Sequence, residues 1–479
     1  MADRSVYFLS RRLASALALL ALWGCGEPSR PQALPPAPSY GPGGEPVLAP
    51  GPGPRPDLLL LVLPELRADH MVAEAMPRLA TLDCGGGSSR IEHATTPSPE
   101  PGTALASLLT GYLPERHGVS HLDPLPRLAP AFPTLGEILR RAGGYATRAF
   151  VADARLARAA TLWQGFDVSG EVGLPEAAAA VSGWVAALGE PGARPPFAAV
   201  LVADALGPGY GAVAREAPRP AARPFLRAQQ ARDLAQATPA QRLAAAREDY
   251  VAALRWADAQ VGQLLDRLAP APGGRPLWVL VTSTSGTALG ERGRVGTGLD
   301  LHDEQVRVPW LWAGPPGLRS VASAASVVDV LPTLLEALRL APLAGADGVA
   351  LGEVLAGRAT RAPVRSIELV DAANTGEATQ RAQLYLARMP GWSYMVRLDL
   401  REGTVREAAH DLVADAAQAR DLAREGRVAG VAFPPAFCAG VEAVRDLVWG
   451  AAEGHNRLAG SAYDQGPRVL QGRPAPCTR

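Results

Sequence analysis

Four short apolar runs, Leu58–Leu63, Ala146–Ala152, Phe197–Ala203 and Leu277–Thr282, constrain this chain more than any other feature. Each reads as a strand buried on both faces, as the strands of a parallel sheet are. Helical stretches lie between them. Pro133–Arg141 opens like a capped amphipathic helix, and Tyr250–Leu265 carries apolar residues at helical spacing. Strand, helix and strand in alternation define an α/β fold with a mainly parallel sheet flanked by helices. Ligands of such sheets bind beyond the carboxyl ends of the strands, where Pro64, Asp204 and Thr284 fall.

Close to half of the 479 residues are hydrophobic (48%), so a large core can be built. Formal net charge is zero, and the basic residues are all arginine, balanced by acids along the chain. No concentrated positive field exists to release counterions from a polyanion, so nucleic acid is not an expected partner.

The first residues suggest an address. Arg4, Arg11 and Arg12 precede the apolar stretch Leu13–Leu22, and Leu22-Trp23-Gly24-Cys25 then resembles a bacterial lipoprotein signal with Cys25 as the acylated residue. The apolar run is short of the ~20 residues a membrane span needs. A plain signal-anchor is the alternative. Residues 1–24 are thus read as the signal and 25–55, rich in Pro, Gly and Ala, as an extended tether. Gly26 brings no retention aspartate, so by resemblance to Gram-negative lipoproteins the outer membrane is favoured within the cell envelope. With Cys25 lipidated, Cys84, Cys438 and Cys477 remain. A Cys438–Cys477 disulfide that leaves Cys84 single, and three idle thiols, are both open readings.

Beyond the strands, the chain carries an ordered set of motifs. Asp57–His70 ends in Leu63-Pro64-Glu65-Leu66-Arg67-Ala68-Asp69-His70, and Ala106–Gly118 reads ASLLTGYLPERHG. Leu280–Gly293 (LVTSTSGTALGERG), Asp303–Pro309 (DEQVRVP), Val328–Leu335, Asp347–Leu351 and His410–Ala423 follow in order. Together they resemble the sulfatase family, of the alkaline-phosphatase-like superfamily, from about Pro56 to about Ala423. The resemblance implies a sulfatase-like α/β domain over 56–360 and a smaller α+β C-terminal subdomain with its tail over 361–479.

The same resemblance implies hydrolysis of a sulfate or phosphate ester by a nucleophile and a divalent metal, usually calcium, held by acidic side chains at strand ends. Residue by residue, this chain departs from that chemistry. The first metal-ligand position falls on Pro64, and the Asp-His pair after the fourth strand falls on Thr284 and Ser285. The nucleophile position falls on Pro101, its supporting serine on Ala104 and the anion-clamping arginine on Leu105. Two histidine positions fall on Gly207 and Thr297. Proline offers a metal only a backbone carbonyl, and two hydroxyls carry no charge to balance a dication. Leu66, Asp69, His70, Ser107, Gly111, His117, Gly118, Gly286, Glu304 and Arg307 match the family and are expected to shape turns, caps and ion pairs. His70 and His117 are therefore expected to be structural.

Two relocated chemistries stand beside this reading. Thr103 could serve as a displaced nucleophile, but a shift of two residues on a helix-opening turn re-aims its side chain. Glu65, Glu100, Asp204 and Glu291 could gather into a new carboxylate site, against the plainer expectation of solvated rim charges. The leading expectation is a catalytically inactive envelope lipoprotein that holds no metal cofactor. It would bind an active sulfatase or a sulfated or phosphorylated glycan, with a vestigial cleft at Glu65, Thr103, Asp204, Glu291 and Thr297. An active ester hydrolase with a relocated site, and a purely structural envelope lipoprotein, are the alternatives.

Overall fold

The computed structural model describes residues 55–83, 87–119, 125–190, 193–203, 206, 239–270, 274–293, 295–298, 300–370, 382–400, 402–423, 428, 431–458, 469 and 477. Cys25, Cys84, Asp204 and Gly207 lie outside them.

The strands in chain order are β1 (Asp57–Val62), β2 (Ser88–Thr95), β3 (Ala146–Val151), β4 (Asp167–Gly170), β5 (Phe197–Val202), β6 (Leu277–Thr282), β7 (Ala288–Leu289), β8 (Val295–Gly296), β9 (Leu311–Ala313) and β10 (Val321–Ser326). A C-terminal group follows: β11 (Val364–Val370), β12 (Ala382–Met389), β13 (Trp392–Asp399) and β14 (Thr404–Asp411). Eight strands form the main sheet in the order β10-β2-β9-β6-β1-β5-β3-β4. The four apolar runs are thus its adjacent centre, β6-β1-β5-β3, each ending within a residue of the expected bounds. All six residues of β1 are buried. Leu58, Leu60 and Val62 enter one core while Leu59, Leu61 and Leu63 enter the other, because successive side chains point to opposite faces. Only β9 runs antiparallel to its neighbours, so the sheet is mainly parallel, as expected.

Helices cover both faces. On one lie α1 (Pro101–Thr110), α2 (Leu135–Arg141) and, later in the chain, the helix Val330–Ala337; on the other lie α3 (Leu174–Ala187) and α4 (Pro239–Leu268). Thr134 and Glu137 form a reciprocal capping box that starts α2. Along α4 the buried residues Tyr250, Ala253, Leu254, Ala257, Val261, Leu264 and Leu265 recur at three- and four-residue steps and form one stripe. Helix α1 is buried on all sides from Gly102 to Thr110, which fits its uniformly small and apolar composition.

The smaller C-terminal subdomain is an antiparallel meander, β11-β12-β13-β14, packed against the helix Pro435–Leu458 through Phe437, Val441, Val444 and Val448. Cys438 on that helix is disulfide-bonded to Cys477, with Cα atoms 5.6 Å apart, so the idle-thiol reading is incorrect for this pair. A crosslink over 39 residues stabilises by about 2–4 kcal/mol, chiefly by restricting the unfolded chain.

Candidate functional site

The register of the central strands builds the floor of the site. Val62 on β1 pairs with Thr282 on β6, so Pro64 and Thr284, each two residues further on, leave neighbouring strands at one level. The N–H of Leu63 donates to the Thr282 carbonyl (3.0 Å), and the N–H of Leu66 to the Ser283 hydroxyl (3.2 Å). Ser283 in turn donates to the Ser285 carbonyl (2.6 Å), which binds the two strand-end loops together.

Pro64 and Glu65 turn the chain tightly. The N–H of Leu66 reaches back to the Leu63 carbonyl (3.1 Å), and Glu65 has φ of 66°, the left-handed value that the third position of a type II turn requires. Proline at the second position presets its own φ for such a turn. The Tyr250 hydroxyl closes the arrangement by donating to the Glu65 carbonyl (2.8 Å) and accepting from the Arg67 N–H (3.0 Å). A locked turn therefore stands at Pro64, where the sequence resemblance implies a carboxylate.

Thr284 and Ser285 are 1% and 0% exposed, and neither hydroxyl has a hydrogen-bond partner among the described residues. These donors do not fit a divalent cation. They are neutral and Pro64 beside them offers only a backbone carbonyl, so these three residues supply no charge to balance a dication.

The segment after β2 carries the remaining candidate positions. Pro101 is the first residue of α1 and Glu100 its N-cap, whose carboxylate accepts from the Thr103 N–H (2.6 Å). Thr103 is buried (4% exposed), and its hydroxyl meets no hydrogen-bond partner among the described residues. Leu105 and Ala104 are fully buried in the body of the helix.

Arg67, Arg155 and Arg292 are each engaged by carboxylates. Arg67 makes a bidentate pair with Asp69 (3.0 and 2.7 Å) and reaches Glu291 with its other nitrogen (2.7 Å). Burial works against ionisation of Asp69, but hydrogen bonds from His70 and Arg67 hold its carboxyl well below the usual carboxylate range. Arg155 pairs with Glu100 (3.0 Å), and Arg292 packs against Glu304. Thr297 is half-buried and donates to the Pro99 carbonyl (3.3 Å).

The relocated carboxylate site does not assemble among the described residues. Glu291 pairs with Arg67 and Glu100 with Arg155, and neither they nor Glu65 fall in a group able to share an ion. A different group does converge: Asp300, His302 and Glu304 bring ligand atoms within 4.8 Å of one another. A cation already stands there, because Arg292 contacts Glu304 and lies 4.0 Å from Asp300. Neither this group nor Arg155 was found from sequence. The alternate spacing Asp300-x-His302-x-Glu304 is the only local signal of the first, and Arg155 has none.

The family-matching residues carry structural work. His117 is buried, accepting from the Val119 N–H at Nδ1 (3.0 Å) and so donating from Nε2 to Ser107 (2.9 Å). Burial pushes its pKa down to about 3, so it is neutral. His70 pairs with Asp69 (2.9 Å) and sits edge-on to Tyr250. Gly111 ends α1 at φ of 73° and accepts from the N–H groups of Asp347 and Gly348 (both 3.0 Å). A Cβ on Gly286 would lie 2.2 Å from the Glu304 carbonyl, so only glycine fits that approach. Arg307 donates twice to the Glu92 carbonyl (3.0 and 2.9 Å).

The fold is sulfatase-like. The model of the sulfatase family matches residues 213–340. No curated protein matches the chain. Among solved structures, the phosphonate monoester hydrolase of Agrobacterium radiobacter superposes with a TM-score of 0.60 at 18% identity, over 84% of this chain and 96% of that one. A 2-O GAG sulfatase gives 0.60 at 16% identity, over 84% and 93%. The phosphonate monoester hydrolase from Silicibacter pomeroyi gives 0.59 at 16%, over 87% and 100%. At these identities the likeness is one of fold.

Proposed function

We propose that this chain is a sulfatase-like protein without hydrolytic chemistry, which acts by binding a sulfated or phosphorylated glycan or an active sulfatase. The observation that carries the reading is the joint replacement at the strand ends and helix start: Pro64 beside Thr284 and Ser285, with Pro101 at the first position of α1. Groups that act as one catalytic unit lose nearly all of the rate together, so no partial activity is expected to survive. The purified protein should turn over neither aryl sulfates nor aryl phosphates above the buffer rate, with or without calcium, magnesium, manganese or zinc. Saturable hydrolysis that follows the protein through purification and vanishes in Glu65→Ala or Thr103→Ala would overturn this reading in favour of a relocated active site.

The site is proposed to work at the cell envelope, held by an acyl chain on Cys25 and the Pro/Gly-rich tether. Supporting this, the N-terminal sequence resembles a lipoprotein signal. Cys25→Ser should move the protein from the membrane to the soluble fraction, because acylation supplies the apolar contact with the bilayer. A variant that still sediments with membranes refutes the anchor.

A further inference from the structure

The seam between the α/β domain and the antiparallel meander holds more positive than negative charge. Arg388, on β12, is 1% exposed and reaches across the seam to Asp303, which it holds through Nε (2.7 Å) and Nη2 (2.6 Å). Arg307 ends the short helix Asp303–Val306, its N–H donating to the Asp303 carbonyl (2.8 Å). The Arg307 guanidinium itself donates to a neutral acceptor, the Glu92 carbonyl. Two guanidiniums therefore share the Asp303 carboxylate. Asp69 and Glu92 attract Arg307 less than Asp303 does, and Asp69 is committed to Arg67.

Two donors at this place lack an acceptor. Arg388 Nη1 is buried with no hydrogen-bond partner among the described residues, and so is His93 Nδ1 on β2. A guanidinium is rigid and planar, so holding Asp303 by the Nε and Nη2 edge turns Nη1 away from that carboxylate. His93 follows Glu92, the residue that Arg307 grips. Burial, then the Arg388 charge, then the Arg307 charge push the His93 pKa down to about 4, against a smaller pull from Asp303, so the ring is neutral near pH 7. Buried polar groups ordinarily have a partner, and a charged group without one is the costliest to leave so. Excess positive charge selects an anion for that role. The cluster is closed at Arg388 and partly exposed at Asp303, Arg307 and His93, which leaves an entry.

We propose that this seam is a binding site for a small monovalent anion of the halide class, held by Arg388 Nη1 and His93 Nδ1 and balanced against the Arg307 charge. The anion ties β12 of the meander to β2 of the main sheet and so strengthens the packing of the two subdomains. The inference is independent of what the cleft at the strand ends binds.

The full chain is melted in sodium chloride and in sodium gluconate, a much larger anion, at one ionic strength. Chloride should raise the midpoint saturably, by about 2 °C or more, because it binds the native state alone. It should also raise the His93 titration midpoint read by NMR, since a neighbouring anion favours the protonated ring. General salt stabilisation does not produce that local shift. Arg307→Met removes the excess charge and leaves the Arg388–Asp303 pair in place, so both chloride effects should be lost. A wild-type protein lacking either chloride effect overturns the proposal and leaves the two donors to water. Chloride effects undiminished in Arg307→Met overturn it as well. Should that variant fail to fold, Arg307→Gln, which keeps a donor for the Glu92 carbonyl, is judged by the same criterion.

Discussion

A triple variant, Pro64→Asp with Thr284→Asp and Ser285→His, is expected to bind calcium where the parent does not, and still to hydrolyse nothing. The register of β1 on β6 brings residues 64 and 284 to one level on adjacent strands, so the two new carboxylates face a common space. Oxygen ligands carrying negative charge are what a hard dication requires. Without calcium the variant should be less stable than wild type, because Thr284 and Ser285 are buried and two like charges there have no counter-ion. Calcium should reverse the loss. An ion that binds only the native state, present at about 100 times its Kd, adds about 2.7 kcal/mol and raises the melting midpoint accordingly. Activity should stay absent, since Pro101 cannot attack and Leu105 cannot clamp an anion. A folded triple variant with no calcium-dependent heat in calorimetry would show that these positions do not form a ligand set on this scaffold.

The second large effect concerns stability of the smaller subdomain. Glu407 on β14 and Arg445 on the C-terminal helix are both 2% exposed. One Glu407 oxygen accepts from Arg445 (3.2 and 3.1 Å) and from the Tyr394 hydroxyl, and the other accepts from the Val428 N–H (2.9 Å). Glu407→Ala leaves Arg445 buried against Tyr394 and Glu442 without its main counter-charge, and should cost about 3–5 kcal/mol in urea unfolding. Glu407→Met with Arg445→Met should recover most of that, because removing both charges removes the desolvation penalty as well. A single variant within about 1 kcal/mol of wild type would mean that water reaches the pair and screens it.

How much of this was legible in advance depended on which interactions were local. The four central strands announce themselves because burial on both faces demands continuous apolar sequence, as in Leu58–Leu63. Strands β2 and β10 do not, since Ser88–Thr95 and Val321–Ser326 are polar or small and gain their place by pairing with each other near the edge of the sheet. β9, three residues long, is set by its neighbours. The side chains at 64 and 101 were equally legible, because a proline there offers neither a carboxylate nor a nucleophile whatever surrounds it.

Charge pairing was not legible. The sequence shows Glu65, Glu100 and Glu291 close to strand ends and a helix start, but not which cation each one finds. Only the tertiary structure decided that Glu291 goes to Arg67 and Glu100 to Arg155, and that, at the opposite strand ends, buried Asp57 is held bidentately by Arg194 (2.9 and 2.6 Å). These partners are separated by 55 to 224 positions along the chain. Hydrophobic pattern is written residue by residue, and so determines the central strands and the two-faced core. An ion pair depends on the position of two distant side chains to within an ångström, which packing alone supplies.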